Sequence, residues 1–270
     1  MECTLPLVGV ATDIASLPRY VDWLVQGQRP LELQDPFTHT EDLASLSHDL
    51  VRKAKSLLDG YEGWLGMHGP FISLPLDAGD SRIRQVVVDR YMDALEFGAE
   101  LGARHMVLHS PFTIFGHALV EHTMPESLQG TIDAVHTTLE KPLAFAAQIG
   151  CTLVIETIKD TNPVPLCALV SSFDHNVGLS IDVGHTLITE QFGGPVAHEW
   201  VRAVGPLLAH VHIQDGDGVV DRHWLPGQGR LNWWALFDAL RRSPANPVLI
   251  IEVGDALAAF DWLAAHGYVR

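Results

Sequence analysis

A chain of 270 residues with 47% hydrophobic side chains can bury a sizeable core, and its formal net charge of −16 argues against a general binder of nucleic-acid backbone, whose affinity rests on Lys and Arg displacing counterions. Bound divalent cations would offset part of that charge, so the charge argument bears on the whole surface and not on a local site. Cys3, Cys151 and Cys167 are odd in number and form no C-x-x-C pair, so neither a disulfide framework nor a zinc finger is indicated.

Met1 to Pro6 carries an acid and lacks the basic start and apolar stretch of a secretory signal, and apolar runs such as Val248 to Ile251 are too short to span a bilayer. The expectation is a cytoplasmic protein without membrane association. Short β-branched and aliphatic runs then alternate with longer amphipathic segments. Strands are predicted at Leu7 to Ala11, Leu31 to Leu33, Trp64 to His68, His105 to His109, Thr152 to Glu156, Val177 to Asp182, Leu208 to Ile213 and Val248 to Val253. The helices between them fall through Tyr20 and Leu24, then at Glu41 to Leu58, Arg82 to Leu101, Ser127 to Gln148, Pro165 to Phe173, His198 to Val204, Trp233 to Leu240 and Ala256 to Ala265. Gly102, Gly150 and Gly205 stand where helices should stop.

Eight such units specify a parallel sheet, and the expected fold is an α/β protein, a closed (β/α)8 barrel forming a single domain over residues 1–270. A doubly wound sheet is the competitor, but neither a G-x-G-x-x-G nor a Walker-type phosphate loop is present.

In such a barrel the C-terminal strand ends form the reactive face. His68, His109, Glu156 and Glu252 each close an apolar run, Asp182 and His185 are spaced to face one cavity, and His212 lies nearer the mouth than His210 on the same strand face. A lone buried histidine is ordinarily a hydrogen-bonded core residue, and Asp182 could simply cap the following helix. Strand after strand ending in a polar ligand type points instead to one shared cluster. The loop from Asp221 through Arg222, His223 and Trp224 to Gly227 and Gly229 puts Asp221 and His223 on one side. His210 reads as a packed or outer-shell residue, and Trp233 and Trp234 as packing of a helix. Glu32 and Lys159 are either substrate contacts or members of salt bridges. Phe71, Phe112 and Trp224 are candidate pocket walls, and His39, His48, His117 and His122 read as loop or surface residues.

His-Gly-Pro-Phe at 68–71, His-Ser-Pro-Phe at 109–112, Ile-Glu-Thr at 155–157, Asp-Val-Gly-His at 182–185, His-Ile-Gln-Asp at 212–215, Asp-Arg-His with Gly-Gln-Gly, and the final Ile-Glu together resemble the xylose isomerase-like TIM-barrel superfamily. That superfamily includes sugar and sugar-phosphate isomerases and epimerases and also endonuclease IV. The ordered match runs from Leu65 to Glu252. The epimerase pattern implies one divalent cation, Zn, Mn, Co or Mg, held by Glu156, Asp182, His212 and Glu252. In it Glu156 and Glu252 also serve as acid and base around an enediolate, and His185 meets substrate oxygens.

The endonuclease pattern implies up to three zinc ions, with His68 and His109 joining Glu156, and with His185, Asp221 and His223 forming a third group. Three departures separate the chain from that enzyme: Ser-Pro in place of Pro-Gly after His109, Val-Gly in place of Thr-Cys between Asp182 and His185, and a different N-terminal segment. The expected function is therefore a metal-dependent isomerase or epimerase of a sugar, sugar phosphate or related polyol ketone. The alternatives are an endonuclease IV-like multinuclear zinc phosphodiesterase or phosphatase, and a lyase or dehydratase on the same site. Expected substrate contacts are His68, His109, His185, Lys159, Phe71, Phe112, Arg222 and Trp224. The partner is a small polyhydroxylated molecule; nucleic acid is disfavoured, and a homo-oligomer is compatible with the sequence.

Overall fold

The computed structural model describes residues 5–112 and 125–270; Cys3, His117 and His122 lie outside them. Eight strands, β1 (Gly9–Thr12), β2 (Leu31–Leu33), β3 (Leu65–His68), β4 (His105–His109), β5 (Thr152–Glu156), β6 (Val177–Asp182), β7 (Leu208–Ile213) and β8 (Val248–Ile251), pair in chain order, and β8 returns to β1 to close the barrel. Every neighbouring pair is parallel. The helices are α1 (Val21–Gly27), α2 (Asp35–Thr38), α3 (Leu43–Leu57), α4 (Ser81–Leu101), α5 (Pro125–Ile149), α6 (Pro163–Ser171), α7 (Val183–Thr189), α8 (Ala197–Val204), α9 (Trp233–Arg242) and α10 (Ala256–Ala265).

The alternation of side chains along each strand divides the barrel into two environments. Leu153 and Ile155 of β5, Leu179 and Ile181 of β6, and Val211 and Ile213 of β7 are fully buried with Trp200, Leu236 and Phe237 of the surrounding helices. Each such aliphatic side chain contributes roughly 1.5–3 kcal/mol when buried. The intervening positions are polar and also buried: Glu32, His105, Ser180, His210 and His212 are at most 1% exposed. A barrel of this kind ordinarily fills its interior with layers of branched aliphatic side chains, so the polar interior calls for an explanation in chemistry rather than stability.

Two helices depart from the sequence expectation. The four-residue α2 and seven-residue α7 are too short to show helical periodicity, and α7 follows β6 with no linker. Asp182 starts α7 by accepting the backbone N–H of His185 at 2.9 Å, so the capping role the sequence allowed is observed. β8 ends at Ile251, which leaves Glu252 just beyond the ladder. Trp233 is buried as expected, but Trp234 is 65% exposed because it lies a third of a turn round the amphipathic α9. Among the described residues no helix is long and apolar enough to cross a membrane.

Candidate metal centre and active-site cavity

A cavity of about 740 Å³ opens where the strands end. His68, His109, Glu156, His185, Asp221, His223 and Glu252 all line it, and so do Lys159 and Phe71. Asp182 and His212 complete the cluster from beneath, each 0% exposed. One ligand atom from each of Glu156, Asp182, His212 and Glu252 lies within 4.8 Å of the others, and the same holds for His68, His109 and Glu156. Three carboxylates brought that close out of water repel unless positive charge separates them.

Backbone carbonyls fix the orientation of three of the rings. His68 donates Nδ1–H to the carbonyl of Gly69 at 2.9 Å, His185 to that of Thr157 at 2.8 Å and His223 to that of Glu252 at 2.7 Å. Each bond leaves Nε2 as the nitrogen facing the cavity, the tautomer control common to metal-bound histidines. The Nε2 atoms of His68 and His109 each stand 3.6 Å from Glu156 Oε2, and those of His185 and His223 stand 3.4 and 2.9 Å from Asp221 Oδ2. His212 uses both nitrogens, Nδ1 toward Glu156 Oε1 and Nε2 toward Glu32 Oε1 at 2.8 Å. It therefore lies between two buried carboxylates, with Nδ1 on the side of Glu156, Asp182 and Glu252. The donor set of oxygen and imidazole fits a divalent transition metal or magnesium.

Titration follows these contacts. Burial lowers His212, but Glu252, Glu32 and Glu156 override it and raise the ring well above its ordinary value. Burial would raise Glu156, yet His212, His68 and His109 hold it well below the carboxylate range. Glu252 goes the other way, to about 7, because burial outweighs the pull of His212 and is reinforced by Asp182 and Glu156. His223 is lifted to about 9 against burial by Asp221 and Glu252, whereas burial drives His109 down to about 3.

Residues not singled out by the sequence hold these groups in place. Gln214 donates to both oxygens of Asp182, at 3.1 and 3.0 Å, and to Asp221 at 2.9 Å, while its carbonyl oxygen accepts the N–H of His223. Gly184 makes this approach possible, since a side chain there would overlap Gln214. Gln34 donates to Glu252 Oε1 at 2.9 Å. Both glutamines follow a buried polar residue by two positions, Glu32 and His212, and that period-two spacing is the signal that marks them. Asp215 is 0% exposed and accepts N–H groups from Gly216, Gly227, Leu231 and the Trp233 ring, pinning the loop that carries Asp221 and His223.

Other expected contacts fall elsewhere. Phe112 is 2% exposed in the apolar core and does not line the cavity. Arg222 reaches Asp217 at 2.9 Å and lies over the Trp224 ring, so neither residue reaches the cavity wall. Glu32 does not line this cavity; it is buried among His105, His210 and His212. Its salt-bridge alternative is the one observed.

Residues 31–266 match the family described as xylose isomerase-like TIM barrel. An uncharacterized protein of Methanocaldococcus jannaschii is 25% identical over 215 residues, 77% of this chain and 70% of the relative. The 3-dehydro-D-guloside 4-epimerase of Escherichia coli is 27% identical over 200 residues, 72% of this chain and 69% of the enzyme. Among solved structures, a D-tagatose 3-epimerase-like protein superimposes with a TM-score of 0.74 at 22% identity, covering 97% of this chain and 96% of its own, a likeness of fold. The chain belongs to the xylose isomerase-like TIM-barrel family.

Proposed function

We propose that this protein is a divalent-metal-dependent isomerase or epimerase of a sugar or related polyhydroxylated carbonyl compound. The observation that carries this reading is the convergence of Glu156, Asp182, His212 and Glu252 at the floor of the cavity. Likeness to the E. coli epimerase supports the reaction class, since that enzyme's name places the inverted centre beside a keto carbon. A divalent cation held by the four residues would supply a Lewis acid that polarises a carbonyl and stabilises charge developing beside it.

The chain's own groups then handle the proton. Glu156 and Glu252 reach the cavity from β5 and from beyond β8; one removes the proton next to the carbonyl and the other returns it. Gln34 fixes Glu252 through Oε1, and Oε2 lies 3.4 Å from His212 Nδ1, at the edge of the cluster. His185, tied to Thr157, and Lys159 meet substrate hydroxyls, while Phe37, Phe71 and Ile158 form an apolar wall that sheds water. In heavy water, the enzyme should place deuterium beside the carbonyl of its substrate among ketohexoses, their phosphates and 3-keto glycosides. Protein purified without chelator that contains no metal would overturn the reading.

The second group of His68, His109 and Glu156, with Asp221 between His185 and His223, favours more than one cation and hence zinc-dependent phosphoester hydrolysis as the second reading. Three tightly held zinc ions per chain, with cleavage of DNA containing an abasic site or of phosphomonoesters, would reverse the order of the two.

A further inference from the structure

We infer that Glu32 and His105 form a positioning relay beneath the metal centre, in which the Glu32 carboxylate fixes the tautomer of His212 and His105 fixes the carboxylate. The inference rests on the assignment of His212 as a metal ligand. Glu32, on β2, accepts from His212 Nε2 at 2.8 Å through one oxygen and from His105 Nε2 at 2.9 Å through the other. The three residues come from β2, β7 and β4, so only the closed barrel brings them together.

The packing shows that this contact is built. Gly66 on β3 stands in register with Glu32, and a side chain there would overlap the His105 ring. The ring is covered on its other side by Trp64, with centroids 4.0 Å apart. His105 Nδ1 is buried without a partner, a cost accepted so that Nε2 can serve Glu32. His210 bonds Ser180 Oγ through Nδ1 at 2.8 Å and brings its Nε2 to 3.2 Å from Glu32 Oε2, an ion-pair distance without hydrogen-bond alignment, so it neighbours the relay as a third imidazole around the carboxylate.

The consequence for a cation is direct. With Nε2–H committed to Glu32, a neutral His212 has its lone pair on Nδ1, the nitrogen that faces Glu156 and the ligand cluster. Without Glu32 the proton is free to sit on Nδ1, the tautomer that cannot ligate. Carboxylates placed behind metal-binding histidines in this way typically change metal affinity by about 10–100-fold.

The test measures zinc and manganese affinity, by competition with a chelator dye, in the full-length protein and in Glu32→Gln, Glu32→Leu and His105→Leu. Circular dichroism and thermal unfolding of the metal-free proteins check the fold; if Glu32→Leu does not fold, the isosteric Glu32→Gln decides. The expected result is unchanged stoichiometry with affinity weakened about 10–100-fold by the Glu32 substitutions and less by His105→Leu. Nitrogen-15 spectra of the zinc-loaded wild type should show His212 bound through Nδ1 with a slowly exchanging Nε2–H, and that proton should exchange faster in Glu32→Gln. Wild-type affinity in the folded Glu32 variants overturns the relay. Loss of one whole metal equivalent with the remainder bound as before also overturns it, in favour of a cation held by Glu32, His210 and His212. Metal binding in the folded His212→Ala variant that equals that of the wild type overturns the ligand assignment itself.

Discussion

Glu156 and Glu252 differ in environment although both end apolar strand runs. Glu156 is surrounded by three imidazoles that hold it well below the carboxylate range, while burial, reinforced by Asp182 and Glu156, raises Glu252 to about 7. Pairs of carboxylates pushed apart in this way suit opposite acid and base roles. Glu156→Gln and Glu252→Gln should each lower turnover by a factor on the order of 10² or more, the scale of general acid-base catalysis. Metal affinity measured in parallel separates proton transfer from ligand loss, and turnover retained in both metal-loaded variants would rule out this pair. Asp182→Ala should reduce the metal found by elemental analysis, and full occupancy in that variant would remove Asp182 from the ligand set.

The loop between β7 and α9 and the start of α7 act as one unit at the scale of elements. Gln214 ties Asp182 to Asp221, and Asp215 ties the loop backbone to Trp233. His223 sits there with φ of 49°, a left-handed conformation that costs on the order of 1 kcal/mol for a residue with a side chain. Its N–H to Gln214 and its ring bond to Glu252 hold it in place. Gly184→Ala should displace Gln214 and lower stability by about 1–3 kcal/mol in denaturant unfolding, with a fall in activity. Asp215→Ala leaves several buried donors unpaired and should cost on the order of 3 kcal/mol or more. A neutral outcome for Asp215→Ala would show that the loop is held by other contacts.

Across the whole molecule, protons and cations compete for the same groups. His223 holds its proton up to about pH 9 in the fold, against an ordinary value of 6.5, and His185 and His212 are raised in the same sense. The fold therefore binds protons that the unfolded chain has released, so the stability they contribute is complete below about 6.5 and is lost as pH rises through 9. His109, lowered to about 3, acts in the opposite sense only below about 6.5 and does not enter this window. In chelator, the protein should unfold at lower temperature at pH 9 than at pH 7. A cation bound as proposed would take the place of those protons, so the rise in Tm on adding metal should be larger at pH 9. A metal effect that shrinks as pH rises would contradict the assignment of these histidines as ligands.

Alternation of apolar runs with amphipathic segments determines the eight strand-helix units, because side-chain period is set by local backbone geometry. It also determines which polar residues end the strands or follow them in the loops, and His68, His109, Glu156, His185, Asp221, His223 and Glu252 all reach the cavity. The sequence is silent where a position depends on a neighbour far along the chain. The seven residues of α7 are too few to show a period, and Phe112 and Trp224 are apolar in any reading until the loops are placed. Glu32 looks like a strand-end acid; only closure of β1 to β8 sets it between His105 and His212, residues 73 and 180 positions away. Burial and charge pairing are properties of that closed barrel, and so is the difference between a carboxylate that meets substrate and one that holds a ligand.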